Sequence, residues 1–101
     1  MNQMQQLLAQ ANRIKRERDK AQAELNAKEF PVEKNGMVKV VVTGDRHVKS
    51  IEIDPDAMDA ENRDMVQEAI ALALNEAMDQ IAKEEDEMEE RITGQPGGFG
   101  F

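Results

Sequence analysis

Residues 36–55, GMVKVVVTGDRHVKSIEIDP, decide the fold. Residues 37–43 alternate, with Val38, Val40 and Val42 on one face and Lys39, Val41 and Thr43 on the other, the period of two that marks a half-buried strand. Gly44-Asp45 supplies turn residues, glycine because a positive φ costs it little, and apolar positions resume at Val48, Ile51 and Ile53. The turn is expected to exceed two residues. Val48 and Ile51 are three apart and cannot share a face in a regular strand, which calls for a bulge near Lys49-Ser50. Asp54-Pro55 ends the second strand, because proline restricts the residue before it and has no amide hydrogen for a ladder.

The same stretch carries a family likeness. A glycine and a hydrophobic residue followed by VKV-x-V-x-G, a short polar loop and then VKSIEIDP resembles the signature of the YbaB/EbfC family of small bacterial nucleoid-associated proteins. The likeness runs the length of the chain: a Gln- and Met-rich first helix, the hairpin, a long second helix and a Gly/Phe tail. The resemblance implies a homodimer that binds duplex DNA in the nucleoid.

Working outward, residues 2–28 carry apolar or small side chains at Met4, Leu7, Ala11, Ile14, Ala21 and Leu25, in steps of three and four, with no Gly or Pro. That is the seam of a long helix, and Arg18 is the position that departs from it. At about 100° per residue, Arg13, Arg16 and Lys20 fall together opposite the seam, with Lys15 flanking. Three cations at i, i+3 and i+7 can run along a phosphate backbone, each a mobile donor on a long stem. The pattern equally suits an ordinary solvated face, with Glu17 and Asp19 forming local ion pairs. Arg13, Lys15, Arg16, Arg18 and Lys20 are the candidate DNA-binding residues.

Phe30-Pro31-Val32 stops the helix and makes a short extended piece, a candidate third strand at the edge of the hairpin, and Lys34-Asn35-Gly36 is a turn. Pro31, Glu29, Glu33 and Lys34 blunt that edge against open-ended pairing. Past Pro55, residues 56–62 read as a helical turn leading to an N-cap at Asp59 or Asn62. The second helix then runs to about residue 92, on the order of 45 Å. Its first half is apolar on more than one side (Met65, Val66, Ile70, Leu72, Leu74, Ala77, Met78, Ile81). Its second half keeps only Met88 and Ile92 among acids and is expected to project, packed against the strip from Met4 to Ile14. The expected fold is therefore α+β: a long helix, a three-stranded antiparallel sheet and a long second helix, in a dimer with projecting helical arms. Residues 1–93 form one domain in this reading, and 94–101 a flexible Gly/Phe tail. Val38, Val40, Val42, Ile51, Ile53, Val66, Ile70 and Leu74 are the expected core and dimer positions, with Val40 and Ile70 representative.

Composition bounds the function. At 101 residues with 3% aromatics there is little bulky material for a monomeric core, and dimerisation is the economical way to bury the helix seams. With no cysteine, disulfides and thiolate chemistry are excluded. No apolar run approaches a membrane span and the chain starts MNQMQQ, so a cytoplasmic location is expected. His47 is the only histidine, placed at a turn, and the acidic run over 84–90 has neither the glycine-bearing loop of a calcium site nor a flanking pocket. No nucleotide-binding glycine pattern is present; neither an enzyme, a cofactor nor a small-molecule substrate is expected.

The net charge of −8 argues against nucleic acid, but its distribution argues for it. Residues 1–51 hold ten Lys and Arg against six Asp and Glu, an excess of +4, which leaves −12 for residues 52–101. Two functions follow from different features. The basic stripe and hairpin signature favour a nucleoid-associated dimer that grips duplex DNA by its backbone, with low sequence specificity, and alters its conformation. The net charge and acidic helix end favour an acidic, dimeric adaptor or chaperone-like module that binds protein through Met-rich helices without DNA.

Overall fold

A computed structural model describes residues 2–94 of the 101-residue chain. Helix α1 spans Gln3–Ala27 and strands β1, β2 and β3 span Glu29–Lys34, Val38–Thr43 and Val48–Ile53; two single 3₁₀ turns, Pro55–Ala57 and Ala60–Asn62, lead into helix α2, Arg63–Thr93. The sheet is antiparallel in the order β1-β2-β3, as the sequence led one to expect. The tail expected over 94–101 lies, except for Gly94, outside the described residues.

Alternation puts Phe30 and Val32 of β1 and Val38, Val40 and Val42 of β2 on one buried face. α2 lies across it. The helix covers that face with Val66, Ala69, Ala73, Ala77 and Ile81, all buried. Val66, one of the expected core and dimer positions, is among them, and beside it the helix is turned so that alanines, which lack bulk and let its axis approach the strands, face the sheet. Val40 is fully buried, whereas Ile70 and Leu74 are only partly so, packed at the margin of the core.

The hairpin is built as the spacing of Val48 and Ile51 requires. Val41 pairs with Ser50 and Val42 with Val48, so Lys49 is the extra residue of a bulge. Asn35 (φ 56°) and Gly36 (φ 66°) form the tight turn between β1 and β2, closed by the Met37 amide donating to the Lys34 carbonyl at 2.9 Å. In the β2–β3 loop the positive φ falls on Arg46 (66°), not on Gly44. Gly44 is required for a different reason: a Cβ there would sit 1.8 Å from the Leu25 carbonyl oxygen at the end of α1. Gly44→Ala is expected to push α1 off the sheet and cost about 1–3 kcal/mol or more in chemical denaturation, by overpacking against backbone that cannot yield.

Asn62 stands at the N-cap of α2 without a side-chain cap bond, and Asp59 makes none either; Asp54 is the residue that caps, accepting from the Asp56 amide at 2.8 Å. Gly94 (φ 72°) closes the other end of α2, donating to the Glu90 carbonyl.

Beyond the sheet, α2 pairs with α1, but not along the expected strip. Arg18 meets Glu89 and Lys28 meets Glu84, so the last ten residues of α2 run antiparallel to the C-terminal half of α1. The hinge is at Lys28 and Glu84. From there α2 has only enough length to reach the neighbourhood of Ile14 before Gly94 stops it. Met4, Leu7 and Leu8 therefore extend past the pair and stay exposed.

Candidate nucleic-acid interface

Among the described residues, five ion pairs account for five of the thirteen cations: Arg18–Glu89, Lys28–Glu84, Lys34–Glu76, Arg46–Glu85 and Lys49–Glu29. Four of the five join a cation of the N-terminal half to an acid on α2. Much of the opposed charge seen in the sequence is thus spent inside the fold, stitching α2 to the sheet and to α1. Exposed pairs of this kind contribute about 0–1 kcal/mol each, so they orient the elements more than they stabilise them.

Of the other eight, Arg13, Lys15, Arg16 and Lys20 are on α1. All four are exposed, and none is in an ion pair among the described residues. Glu17 and Asp19 do not neutralise them, so the local pairing that would make this an ordinary salt-laced face is not formed. Arg13, Arg16 and Lys20 lie on the side of α1 turned away from α2, over about 10 Å of helix. With one phosphate per ~3.4 Å along each strand of duplex DNA, that length faces about three phosphates.

Arg18 does not join this set. Its Nε and second guanidinium nitrogen donate to the two carboxylate oxygens of Glu89 at 3.1 and 3.2 Å, on the side facing α2. The helical period explains both placements: Arg18 occupies a seam position, and a charge in a seam needs a partner across it.

The acids of α2 are arranged conversely. Glu84, Glu85 and Glu89 are consumed by Lys28, Arg46 and Arg18. Asp86, Glu87 and Glu90 are exposed on the face of α2 turned away from α1. The helix pair is therefore two-sided, cationic on the outer face of α1 and anionic on the outer face of α2, and a duplex lying on the first is shielded from the second by the pair itself.

At the base of the pair, Arg46 donates to Glu85 through two guanidinium nitrogens, at 3.0 and 2.5 Å. The hydrogen bonds from Arg46, aided by its charge, hold the Glu85 carboxyl below the ordinary glutamate value, and Glu85 raises Arg46 in return. In the same loop the Thr43 hydroxyl donates to Asp45 and lowers its carboxyl. A lowered folded-state value means that Glu85 adds stability above its unfolded-state value and loses it as pH falls through the folded one. Glu85→Gln should lower the melting free energy by about 0.5 kcal/mol at neutral pH, with parent and variant converging in acid.

Sequence reasoning passed over Arg91 because it sits in an acidic run. It lines a cleft between the helices with Ala21, Glu24, Leu25, Lys28, Glu84 and Met88, and its place in the last turn of α2 suits the negative end of the helix dipole. His47 is exposed, its amide donating to Asp45 at 3.3 Å. Among the described residues no group of three His, Asp or Glu is arranged to hold a metal ion, and no helix is long and apolar enough to cross a membrane.

A small α+β chain with a cationic face on a protruding helix has the form of a nucleic-acid-binding module. The chain belongs to the YbaB/EbfC DNA-binding family, whose sequence model matches residues 1–96. It is 40% identical over 88 residues to a nucleoid-associated protein of Metamycoplasma arthritidis, covering 87% of this chain and 92% of that one. It is 38% identical over 99 residues to a nucleoid-associated protein of Enterococcus faecalis, covering 96% and 95%. A nucleoid-associated protein of Lachnospira eligens is 41% identical over 80 residues, 78% of this chain and 69% of that one. Its role is that of a DNA-binding protein of this family.

Proposed function

We propose that the protein binds duplex DNA as a homodimer in the nucleoid of the cytoplasm, gripping the phosphate backbone through the outer face of α1 with little sequence preference. The observation that carries this is the row Arg13, Arg16 and Lys20, exposed, unpaired among the described residues and turned away from the acids of α2. Long, mobile cationic side chains in a row along a helix suit phosphates rather than base edges. The names of the relatives from Metamycoplasma arthritidis and Enterococcus faecalis support the nucleoid location.

Two observations support the dimer. First, the chain is open: its radius of gyration is 19.4 Å, against about 13 Å for a compact domain of this length. Its accessible surface of 7346 Å² likewise exceeds the roughly 5,800 Å² expected for its mass. Second, α2 packs on β1 and β2 and leaves β3 uncovered apart from Ile53 at its end, which packs against the core. Val48 and Ile51 pair with Val42 and Val40, on the face that α2 occupies, yet are 39% and 45% exposed. Ile70, Leu74 and Met78 lie on the flank of α2 toward β3, as Arg46 at the β2–β3 loop reaching Glu85 indicates. Together they form an apolar trough open along one side, which a second copy of the same trough closes by two-fold symmetry.

Electrophoretic mobility shifts with random-sequence duplex at several salt concentrations test the reading. Retardation at low salt that fades as salt rises, alike for unrelated sequences, is the expected result.

A further inference from the structure

The opposite end of the molecule from the basic stripe carries a surface that DNA binding does not use. Met58, Met65 and Leu72 are 65%, 55% and 48% exposed there, and half-buried Met37 joins them. Met37, Met65 and Leu72 line a hollow of about 410 Å³ with Asn35, Glu68 and Ala69. Met37 and Met65 continue into a second of about 270 Å³ beside Gly36, Asp54, Asp56, Ala57 and Asn62. This surface lies on the β1 side of α2, where Lys34 meets Glu76, and is separate from the trough beside β3.

Its rim is predominantly acidic. Asp54, Asp56, Asp59, Glu61, Asp64 and Glu68 are all exposed, with Arg63 the one cation in that stretch of sequence. Unlike Glu76, Glu84, Glu85 and Glu89 further along α2, none of the six is in an ion pair among the described residues. Acids near the start of α2 favour the helix dipole, which accounts for Asp64. It does not account for Asp54, Asp56 and Glu68, which line the hollows beside Met37 and Met65, whose flexible thioethers can reshape to seat varied apolar side chains.

We infer that this acidic, methionine-lined hollow is a docking site for a basic amphipathic segment of another protein, one that inserts aliphatic or aromatic side chains between Met37, Met65 and Leu72 while its Lys and Arg residues meet the surrounding carboxylates. Charge complementarity selects this occupant. DNA is repelled by the rim, and a second copy would bring the same acids against themselves. About 15 Å of α2 separates Asn62 from Leu72, room for a partner helix of some three turns. A protein carrying this site at the far end from its DNA-binding face tethers a basic-tailed partner to the duplex.

The test uses the full chain and a fluorescein-labelled 14-residue peptide with Leu at helical i, i+3, i+4 and i+7 spacing and Lys elsewhere, followed by anisotropy. Saturable binding is expected, weakened at least tenfold when the leucines are replaced by Ser, so that charge alone does not suffice. Met65→Gln with Leu72→Gln should weaken it by a similar factor, leaving melting temperature, sedimentation and DNA retardation unchanged. Asp56→Asn with Asp64→Asn should weaken it again and flatten its salt dependence. Equal binding of the Ser peptide, or undiminished binding by the Met65/Leu72 variant, would overturn the inference. So would a change in oligomeric size in that variant, which would give the patch to a second copy. Because DNA retardation is read in parallel, failure of the peptide site leaves the stripe standing, and the reverse.

Discussion

Replacing Arg13, Arg16 and Lys20 together by Ala is expected to lower affinity for duplex DNA by about a hundredfold at low salt, equally for every sequence. The proposed dimer would present each row twice. If about four to six phosphates are neutralised in total, log K of the parent falls with log salt at a slope near −4 to −5, and the variant, left chiefly with Lys15, should show a slope of about −1 to −2. The three side chains are exposed and in no ion pair among the described residues, so helix content and melting temperature should survive. Arg18→Ala should behave differently. It removes the partner of Glu89 within the helix pair and should shift stability slightly while leaving the salt slope close to the parent's, because the Arg18 guanidinium is already engaged with the Glu89 carboxylate. A triple variant that binds with unchanged slope would refute the assignment to α1. A parent that fails to retard DNA at low salt would return the adaptor reading to first place.

The contrast between Arg18 and its neighbours shows where sequence was sufficient. Period two in residues 37–43 and period 3.6 in the helices each state which side chains share a face, so β2, the bulge at Lys49 and the cationic row were legible from spacing alone. What spacing cannot state is which of several faces meets what. Ile70 and Leu74 promise more burial energy than Ala69 and Ala73, yet the alanines face the sheet, since small side chains allow a close approach that the hydrophobicity ranking does not register. Likewise Gly44 carried a turn signal, but its role comes from the distant Leu25 carbonyl, a tertiary encounter no local window contains. The helix pairing was misplaced for a related reason. Apolar content pointed to the strip from Met4 to Ile14, while the hinge position and the length left in α2 decide how far the pair extends. The acidic run over 84–90 seemed incompatible with DNA as a sum; its division into paired and outward-facing acids appears only when α1 lies beside it.

Ile51→Asn with Leu74→Asn is expected to dissociate the dimer at micromolar concentration. Both side chains sit at the open trough beside β3, Ile51 at 45% exposure and Leu74 partly buried, so neither substitution opens a sealed cavity in the single chain. In a two-fold assembly each appears twice. Withholding four buried aliphatic side chains, at about 1–1.5 kcal/mol each for the area still exposed in one chain, weakens association by on the order of a thousandfold or more. The neutral asparagines leave the charge balance and the cationic row intact, so any loss of DNA binding reports the loss of the second row, since two linked contacts hold far better than one. The parent should sediment as a dimer, with a melting temperature that rises with protein concentration. The variant should sediment as a monomer of lower melting temperature, with its salt slope halved. A parent that is a stable folded monomer at micromolar concentration, or a variant that sediments and melts like the parent, would show that the trough beside β3 is not where two chains meet.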